Sequence, residues 1–296
     1  MGTQRGRRAL EWARAHNPGA TQDLWLMSHT ARMYALGVSS RWLQPAARFV
    51  IVTPGRSGSE LLTDLLNSHP SITCDAEILR ERMAWPQQFV AGRAAKAALA
   101  GAEAYGFKVH CGHFGYQVLR ERPGYVAQLA ADGTQVILLR RENLLAQAVS
   151  STIANRTRWH WRRRDEAVFE PMELDPVEVL MMAYLFEESD RYLESLLSDV
   201  PHLVLSYERD LVDSDAQEAT VRRICGCLGL DHQSVSSDHV RFTPRSLRAT
   251  IGNYDAVARV IGATRFGRFL DDDGEAAADR FASGGQPRPE GLPLVD

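Results

Sequence analysis

An α/β fold with three layers, in which helices cover both faces of a central parallel sheet, is the architecture that the sequence predicts. Short apolar runs alternate along the chain with longer amphipathic stretches, which indicates alternating strands and helices. The runs over 48–52 and 135–139 are apolar at all but their first position, as strands buried on both faces are. Such strands occur almost only in parallel sheets that helices cover on both sides.

The predicted elements follow one another in a regular order. We expect residues 1–47 to form a helical segment that Asn17-Pro18-Gly19 breaks in two. The first strand, 48–52, leads through a loop into a helix with an apolar leucine face. Further strands are predicted over 71–74, 106–110, 135–139 and 202–206, and further helices over 87–100, 115–131, 143–155, 176–198 and 214–228. One α/β domain would then span 48–270, followed over 271–296 by a mostly disordered tail.

The composition limits the function classes. The chain has 296 residues and a formal net charge of −3, which argues against nucleic-acid binding because nucleic-acid-binding proteins carry a basic excess. No apolar run approaches the roughly 18 residues of a membrane span, and no apolar block follows the Arg-rich start as in a signal peptide. Because the four cysteines lack a disulfide or zinc spacing, we expect reduced thiols and a cytoplasmic location.

The loop after the first strand has the composition of a phosphate site. Backbone N–H groups at a helix N-terminus attract anions, Gly55 and Gly58 permit a tight turn, and Arg56 adds a forked cation. A plain strand-to-helix turn with a capping serine is the alternative. The loop lacks the lysine of magnesium-dependent nucleotide loops, and Glu60 stands where such loops carry a hydroxyl. The glycine fingerprint of dinucleotide sites is absent too.

A second strand that ends in basic residues indicates a second anion site. Arg140 and Arg141 follow the apolar run over 136–139, and Ser150 lies in the next helical pattern, nine residues after Arg141. Two anion sites on neighbouring strands fit a ligand that carries phosphate at both ends. An arginine at the sheet edge with a solvent-facing serine is the alternative interpretation.

Together, the two segments resemble sulfotransferases that use 3′-phosphoadenosine 5′-phosphosulfate (PAPS). Their motifs are most similar to those of bacterial carbohydrate sulfotransferases of the trehalose- and nodulation-factor-modifying kind. The resemblance covers about residues 48–270. It implies a P-loop-like fold, PAPS as donor, 3′-phosphoadenosine 5′-phosphate (PAP) as product, and no metal.

The resemblance also implies roles for individual residues in donor binding. Arg56 would bridge the 5′-phosphate and the departing sulfuryl group, while Arg141 and Ser150 would bind the 3′-phosphate. Arg245 or Arg248 would close over the nucleotide from the C-terminal segment, with a surface ion pair as the alternative. The other donor contacts are expected at Pro54, Gly55, Ser57, Gly58, Ser59 and Glu60. Glu60 departs from the Ser, Thr or Asn more often found in this family.

Two residues are candidates for the base that takes the acceptor's proton. Glu77 lies 21 residues after Arg56, beyond the second predicted strand, where ligands of open α/β sheets bind. His110 resembles the histidine in the Lys-x-His element of cytosolic sulfotransferases, and a histidine suits proton transfer at neutral pH. We favour Glu77, because the neighbouring motifs resemble bacterial enzymes that use a glutamate at a similar place. Lys108 is expected to be a second cation for the sulfuryl oxygens.

The expected acceptor is a hydroxyl of a carbohydrate, a glycosylated metabolite or another small molecule. Trp85 and the Trp- and Arg-rich run over 155–164 could contact sugar rings, but a solvated surface face explains the run equally well. We expect no nucleic-acid partner, and a homodimer is a further expectation. Two other hypotheses stay open: a nucleotide-binding module without turnover, and a P-loop kinase.

Overall fold

Five parallel strands form the central sheet of the computed structural model, in the order β2-β3-β1-β4-β6. The structure describes residues 18–39, 42–79, 85–112, 124–157, 162–163, 169–240, 244 and 246–270. The strands of the sheet are β1 (Ala47–Thr53), β2 (Ile72–Asp75), β3 (Ala104–His110), β4 (Gln135–Arg140) and β6 (His202–Ser206). A separate antiparallel ribbon joins β5 (Arg162–Arg163) to β7 (His239–Val240). The predicted parallel sheet is confirmed.

Helices cover both faces of the sheet, as the sequence predicts. They are α1 (Pro18–Ser39), α2 (Ser59–Ser68), α3 (Pro86–Leu99), α4 (Tyr125–Ala131), α5 (Leu144–Thr157), α6 (Pro176–Leu196), α7 (Tyr207–Asp210), α8 (Ser214–Leu228), α9 (Leu247–Thr250) and α10 (Tyr254–Gly262), followed by a 3₁₀ helix, Arg265–Phe269. Local sequence explains several of the boundaries. Asp175 and Asp213 cap α6 and α8 through their carboxylates, and Gly229 ends α8 in a left-handed conformation.

The alternation of side chains along β1 supplies the two apolar clusters on the opposite faces of the sheet. Phe49 and Ile51 face α2 and α8, whereas Val50 and Val52 face α3, α4 and the end of α6. All four side chains are fully buried, and each contributes about 1.5–3 kcal/mol by leaving water. Because β1 is buried on both faces, it is a rigid support for the loop that follows it.

The strand order places a crevice at the carboxyl end of β1. From β1 the chain builds β2 and β3 on one side of that strand, and then crosses to build β4 and β6 on the other. In open α/β sheets, ligands bind outside the carboxyl ends of the strands at such a point of reversal. The loops after β1, β3 and β4 therefore surround the expected binding crevice.

Helix α1 packs against α3 through a close contact between backbones. A Cβ atom added at Gly37 would lie 2.0 Å from the carbonyl oxygen of Gln88, and one at Gly92 would lie 1.9 Å from that of Met33. Glycine at both positions allows the two helices to approach. Helix α1 begins at Pro18, where the missing N–H of proline costs nothing, and the break predicted at 17–19 stays a prediction because residues 1–17 are not among those described.

Parts of the predicted organisation lie outside the described residues. These parts are residues 1–17, the start of the helix predicted over 115–131, and the tail over 271–296. The domain limits at 48 and 270 stay predictions. Within the described residues, every helix is too short or too polar to cross a membrane.

Candidate functional site

The loop over 54–58 winds tightly between β1 and α2. Gly55, Arg56 and Gly58 have φ angles of 92°, 54° and 83°, and Arg56 is the one non-glycine residue with positive φ among those described. The Gly55 N–H donates to the Thr53 hydroxyl at 3.2 Å, and that hydroxyl shares a short hydrogen bond with the Ser57 hydroxyl. Consecutive left-handed residues before a helix turn backbone N–H groups toward one concavity, which is a favourable geometry for an anion.

Two side chains confirm that glycine is required in this loop. A Cβ atom at Gly55 would lie 2.1 Å from Nε2 of His110, and one at Gly58 would lie 2.5 Å from Cδ2 of Tyr207. His110 and Tyr207 therefore pack directly on the backbone of the loop. Pro54, Ser57 and Ser59 are buried beneath it.

Arg56 lies in the crevice between the loop and helix α5. Its guanidinium donates to the Ser150 hydroxyl from Nε at 3.2 Å and from Nη2 at 3.0 Å. Burial, and after it the positive charge of Arg141, lower the pKa of Arg56 to about 10, while the negative charge of Glu60 opposes this shift. Arg56 keeps its charge at neutral pH, and Arg141 is near enough to act on it electrostatically.

Arg141 is held at the carboxyl end of β4 by the corner that follows β6. Its Nε donates to Oε1 of Glu208 at 3.3 Å, and its guanidinium carbon lies 5.0 Å from the centre of the Tyr207 ring. The same ring contacts Gly58 in the first loop. Tyr207 therefore lies between the two predicted anion sites and touches residues of both.

Glu208 also fixes the start of α5. Its carboxylate accepts hydrogen bonds from the N–H groups of Glu142 and Asn143 at 2.9 and 3.2 Å. The Asn143 side chain in turn accepts from the N–H of Ala146 at 2.8 Å. With its first N–H groups satisfied, α5 is anchored beside Arg141 and runs toward the phosphate loop.

A buried lysine links two carboxylates on the other side of the loop. Lys108 on β3 is fully buried, and its ammonium forms a short ion pair with Glu60 in the first turn of α2. Its Nζ also lies 3.9 Å from Oε1 of Glu77, beyond β2. About a third of the Glu77 side chain is exposed. The structure thus brings Glu60, Glu77 and Lys108 together, with Lys108 compensating the charge of the carboxylates.

His110 ends β3 with one ring nitrogen engaged by the backbone. The Gly112 N–H donates to Nδ1 at 2.9 Å, which places the proton of the neutral ring on Nε2. In this tautomer Nε2 is a donor and has no lone pair for an acceptor's proton. Glu77, which carries carboxylate oxygens at partial exposure, matches the role of a base better.

The remaining predicted residues make other contacts or lie outside the described residues. Arg248 is exposed, lies 4.3 Å from the centre of the Tyr254 ring and pairs with Asp255 at 3.4 Å. Trp85 is exposed before α3 and contacts the Tyr34 ring edge-to-face. Arg245 and most of the Trp- and Arg-rich run are not described.

Two residues that sequence reasoning did not identify stand out near the crevice. Gln147 is fully buried in α5, and its Nε2 donates to the Gly55 carbonyl at 2.6 Å. Burial raises the pKa of Asp190 in α6 to about 7, Arg140 opposes this rise, and Glu194 and Glu208 add to it. For Gln147 the sequence offers a weak signal, an amide side chain in a mostly apolar predicted helix six positions after Arg141. No sequence pattern distinguishes Asp190 from other helix carboxylates.

Chemically, the arrangement combines a backbone anion site, two arginines and a partly exposed carboxylate. Among the described residues, no group of three or more His, Cys, Asp or Glu side chains is placed to hold a metal ion. Arg56 and the N–H groups of the loop are suited to bind and polarise an anionic group, and the partly exposed carboxylate of Glu77 is suited to accept a proton.

Comparison with known proteins gives distant structural overlaps. No protein-family profile and no curated protein sequence matches the chain. A sulfotransferase from Alicyclobacillus acidocaldarius shares 15% identity with a TM-score of 0.40, covering 76% of this chain and 95% of its own. The mouse sulfotransferase SULT7A1 complexed with PAP shares 16% identity with a TM-score of 0.38, covering 76% of this chain and 88% of its own. A functional assignment therefore rests on the geometry of the site.

Proposed function

We propose that this protein transfers a sulfuryl group from PAPS to the hydroxyl of a small acceptor, a carbohydrate or glycosylated metabolite. The observation that supports the proposal is that Arg56 and Arg141 interact electrostatically at the carboxyl edge of the sheet, where Tyr207 contacts both of their segments. Arg56 bonds to Ser150 of α5, and Arg141, three residues before the start of the same helix, lowers the pKa of Arg56. Two cations so placed suit an adenine nucleotide with an anionic group at both its 5′ and 3′ positions.

The loop over 54–59 would hold the 5′-phosphosulfate. Its left-handed turn supplies backbone N–H groups at the start of α2, whose dipole also favours an anion. Arg56 would lie beside the oxygen that bridges phosphorus and sulfur. Arg141, held by Glu208 and Tyr207, would contact the 3′-phosphate from the opposite side.

The reaction is an in-line displacement at sulfur. The acceptor oxygen forms a bond to sulfur while the bond from sulfur to the bridging phosphate oxygen breaks, and its electron pair stays on that oxygen. Arg56 stabilises the negative charge that develops there, and Glu77 takes the acceptor's proton. The products are a sulfate ester and PAP. Lys108 keeps Glu77 and Glu60 in place through their ion pairs.

Ligand stabilisation followed by a transfer assay tests the proposal against its two rivals. PAP at about 100 times its Kd should stabilise the fold by about 2.7 kcal/mol without magnesium. Stabilisation by ATP that requires magnesium, with none by PAP, would indicate a P-loop kinase instead. If PAP binds but labelled PAPS transfers no sulfuryl group to any of a panel of sugar and phenol acceptors, the chain is a nucleotide-binding module without turnover.

A further inference from the structure

Helix α5 presents two polar side chains to the phosphate loop. Gln147 donates from Nε2 to the Gly55 carbonyl at 2.6 Å, and the Ser150 hydroxyl accepts from Arg56. Residues three positions apart share one face of a helix. The same face of α5 therefore binds two successive residues of the loop.

The Gly55 carbonyl belongs to the peptide that joins the two left-handed residues of the turn. Gly55 has φ 92° and Arg56 has φ 54°, a region in which a residue with a Cβ is strained. Strain of this kind persists only where neighbouring groups hold the backbone. Because the peptide is planar, a bond that fixes the Gly55 carbonyl also fixes the direction of the Arg56 N–H.

The other end of the Gln147 amide indicates why a polar residue lies here. The side chain is fully buried, and its Oε1 has no hydrogen-bond partner among the described residues. A buried acceptor without a partner is unfavourable, so an apolar side chain of similar size would pack here at lower cost. The bond from Nε2 to the loop is the contact that an apolar side chain could not replace.

We propose that Gln147 is a positioning residue that holds the turn at Gly55 and Arg56 in its anion-binding form. Gln147 is not itself a ligand in this proposal, which rests on the proposed function for the identity of the anion. The bond links α5, anchored at its start beside Arg141, to the loop that receives the 5′-phosphate. Loss of the bond should therefore weaken the binding of the 5′-phosphate of the nucleotide and leave the binding of its 3′-phosphate unchanged.

Gln147→Met tests this, with Thr152→Val as the matched control. Thr152 lies on the same helix, is fully buried and also has a polar atom without a partner among the described residues, so its hydroxyl forms no hydrogen bond with the described loop. Two quantities are measured for the full chain. One is amide hydrogen exchange of residues 53–60 without ligand, and the other is the Kd for PAP, AMP and adenosine 3′-phosphate.

In Gln147→Met we expect faster exchange in the loop and about tenfold weaker binding of PAP and AMP, as for one lost hydrogen bond. Binding of adenosine 3′-phosphate should stay unchanged, and Thr152→Val should match the wild type in every measurement. Equal weakening of all three nucleotides, or loop exchange as slow as in the wild type, overturns the positioning role.

A second variant keeps the test decisive if the methionine variant does not fold. Gln147→Leu is also apolar and cannot donate to the Gly55 carbonyl, so it should show the same loss of binding for PAP and AMP. If it binds them as tightly as the wild type does, the proposal is wrong. A wild-type protein that binds none of the three nucleotides refutes the proposed function, and loop exchange then still decides the role of Gln147.

Discussion

At the scale of single residues, the site depends on which side chains can lose or accept a proton. Nδ1 of His110 already accepts the Gly112 N–H, whereas Glu77 lies partly exposed beside Lys108. The sequence alone left both residues open as the base. The hydrogen bond to the His110 ring could not be predicted from the sequence, because it depends on the backbone conformation of the turn that follows β3.

Glu77→Gln is expected to lower kcat by about 10²- to 10⁴-fold, because the amide cannot take the acceptor's proton. The Kd for PAP should change little, since Glu77 does not contact the nucleotide in our proposal. Steady-state kinetics and calorimetry measure the two quantities. Near-normal turnover in Glu77→Gln, with a large loss in His110→Ala, would assign the base to His110 instead.

Asp190 should make the stability of the fold depend on pH. Its pKa is about 7 in the folded state, against an ordinary value of 3.8, so the folded state holds the proton where the unfolded chain has lost it. The free energy of unfolding should therefore fall as the pH rises from about 4 to 7.

Asp190→Asn removes this effect. Its free energy of unfolding in urea, relative to the wild type, should rise between pH 4 and 8 by at most about 4 kcal/mol. If the difference in the free energy of unfolding between the two proteins stays constant over this pH range, Asp190 ionises as freely in the folded state as in the unfolded chain.

At the scale of elements, patterns within one segment predict more than contacts between segments do. The buried strands were predictable because β1 and β4 consist of apolar, largely β-branched or leucine residues. The basic residues after them were predictable for the same reason, since Arg140 and Arg141 directly follow the apolar run of β4 and Arg56 follows that of β1 after a short loop. Gln147 meets Gly55 across 92 positions of sequence, and no local pattern reports a contact of that kind.

The contact between α1 and α3 gives a prediction at this scale. Gly92→Ala would put a methyl group against the Met33 carbonyl, so the helices must separate and the fold should lose about 1–3 kcal/mol. Gly226→Ala in α8 is the matched control, because a Cβ there meets nothing within 4 Å. That variant should gain about 0.5–1 kcal/mol from helix propensity. Urea unfolding of both variants checks the pair, and equal effects would contradict close packing of α1 on α3.

At the scale of the whole molecule, the strand order brings two distant segments to one crevice. The loop after β1 and the start of α5 lie about ninety residues apart in sequence, yet Arg56 bonds to Ser150, and Tyr207 touches residues of both predicted anion sites. The parallel sheet makes this possible, because β1 and β4 are neighbours and end at the same edge. The proposed function depends on this convergence more than on any single residue.

Calorimetric binding of nucleotide fragments to Arg56→Met and Arg141→Met tests that convergence most directly. Arg56→Met should weaken the binding of AMP by about 10- to 100-fold and leave the binding of adenosine 3′-phosphate unchanged. Arg141→Met should weaken the binding of adenosine 3′-phosphate and leave that of AMP unchanged. The binding of PAP should be weaker in both variants than in the wild type. If both substitutions affect the two fragments alike, or neither affects PAP, then the two arginines do not bind opposite ends of one nucleotide.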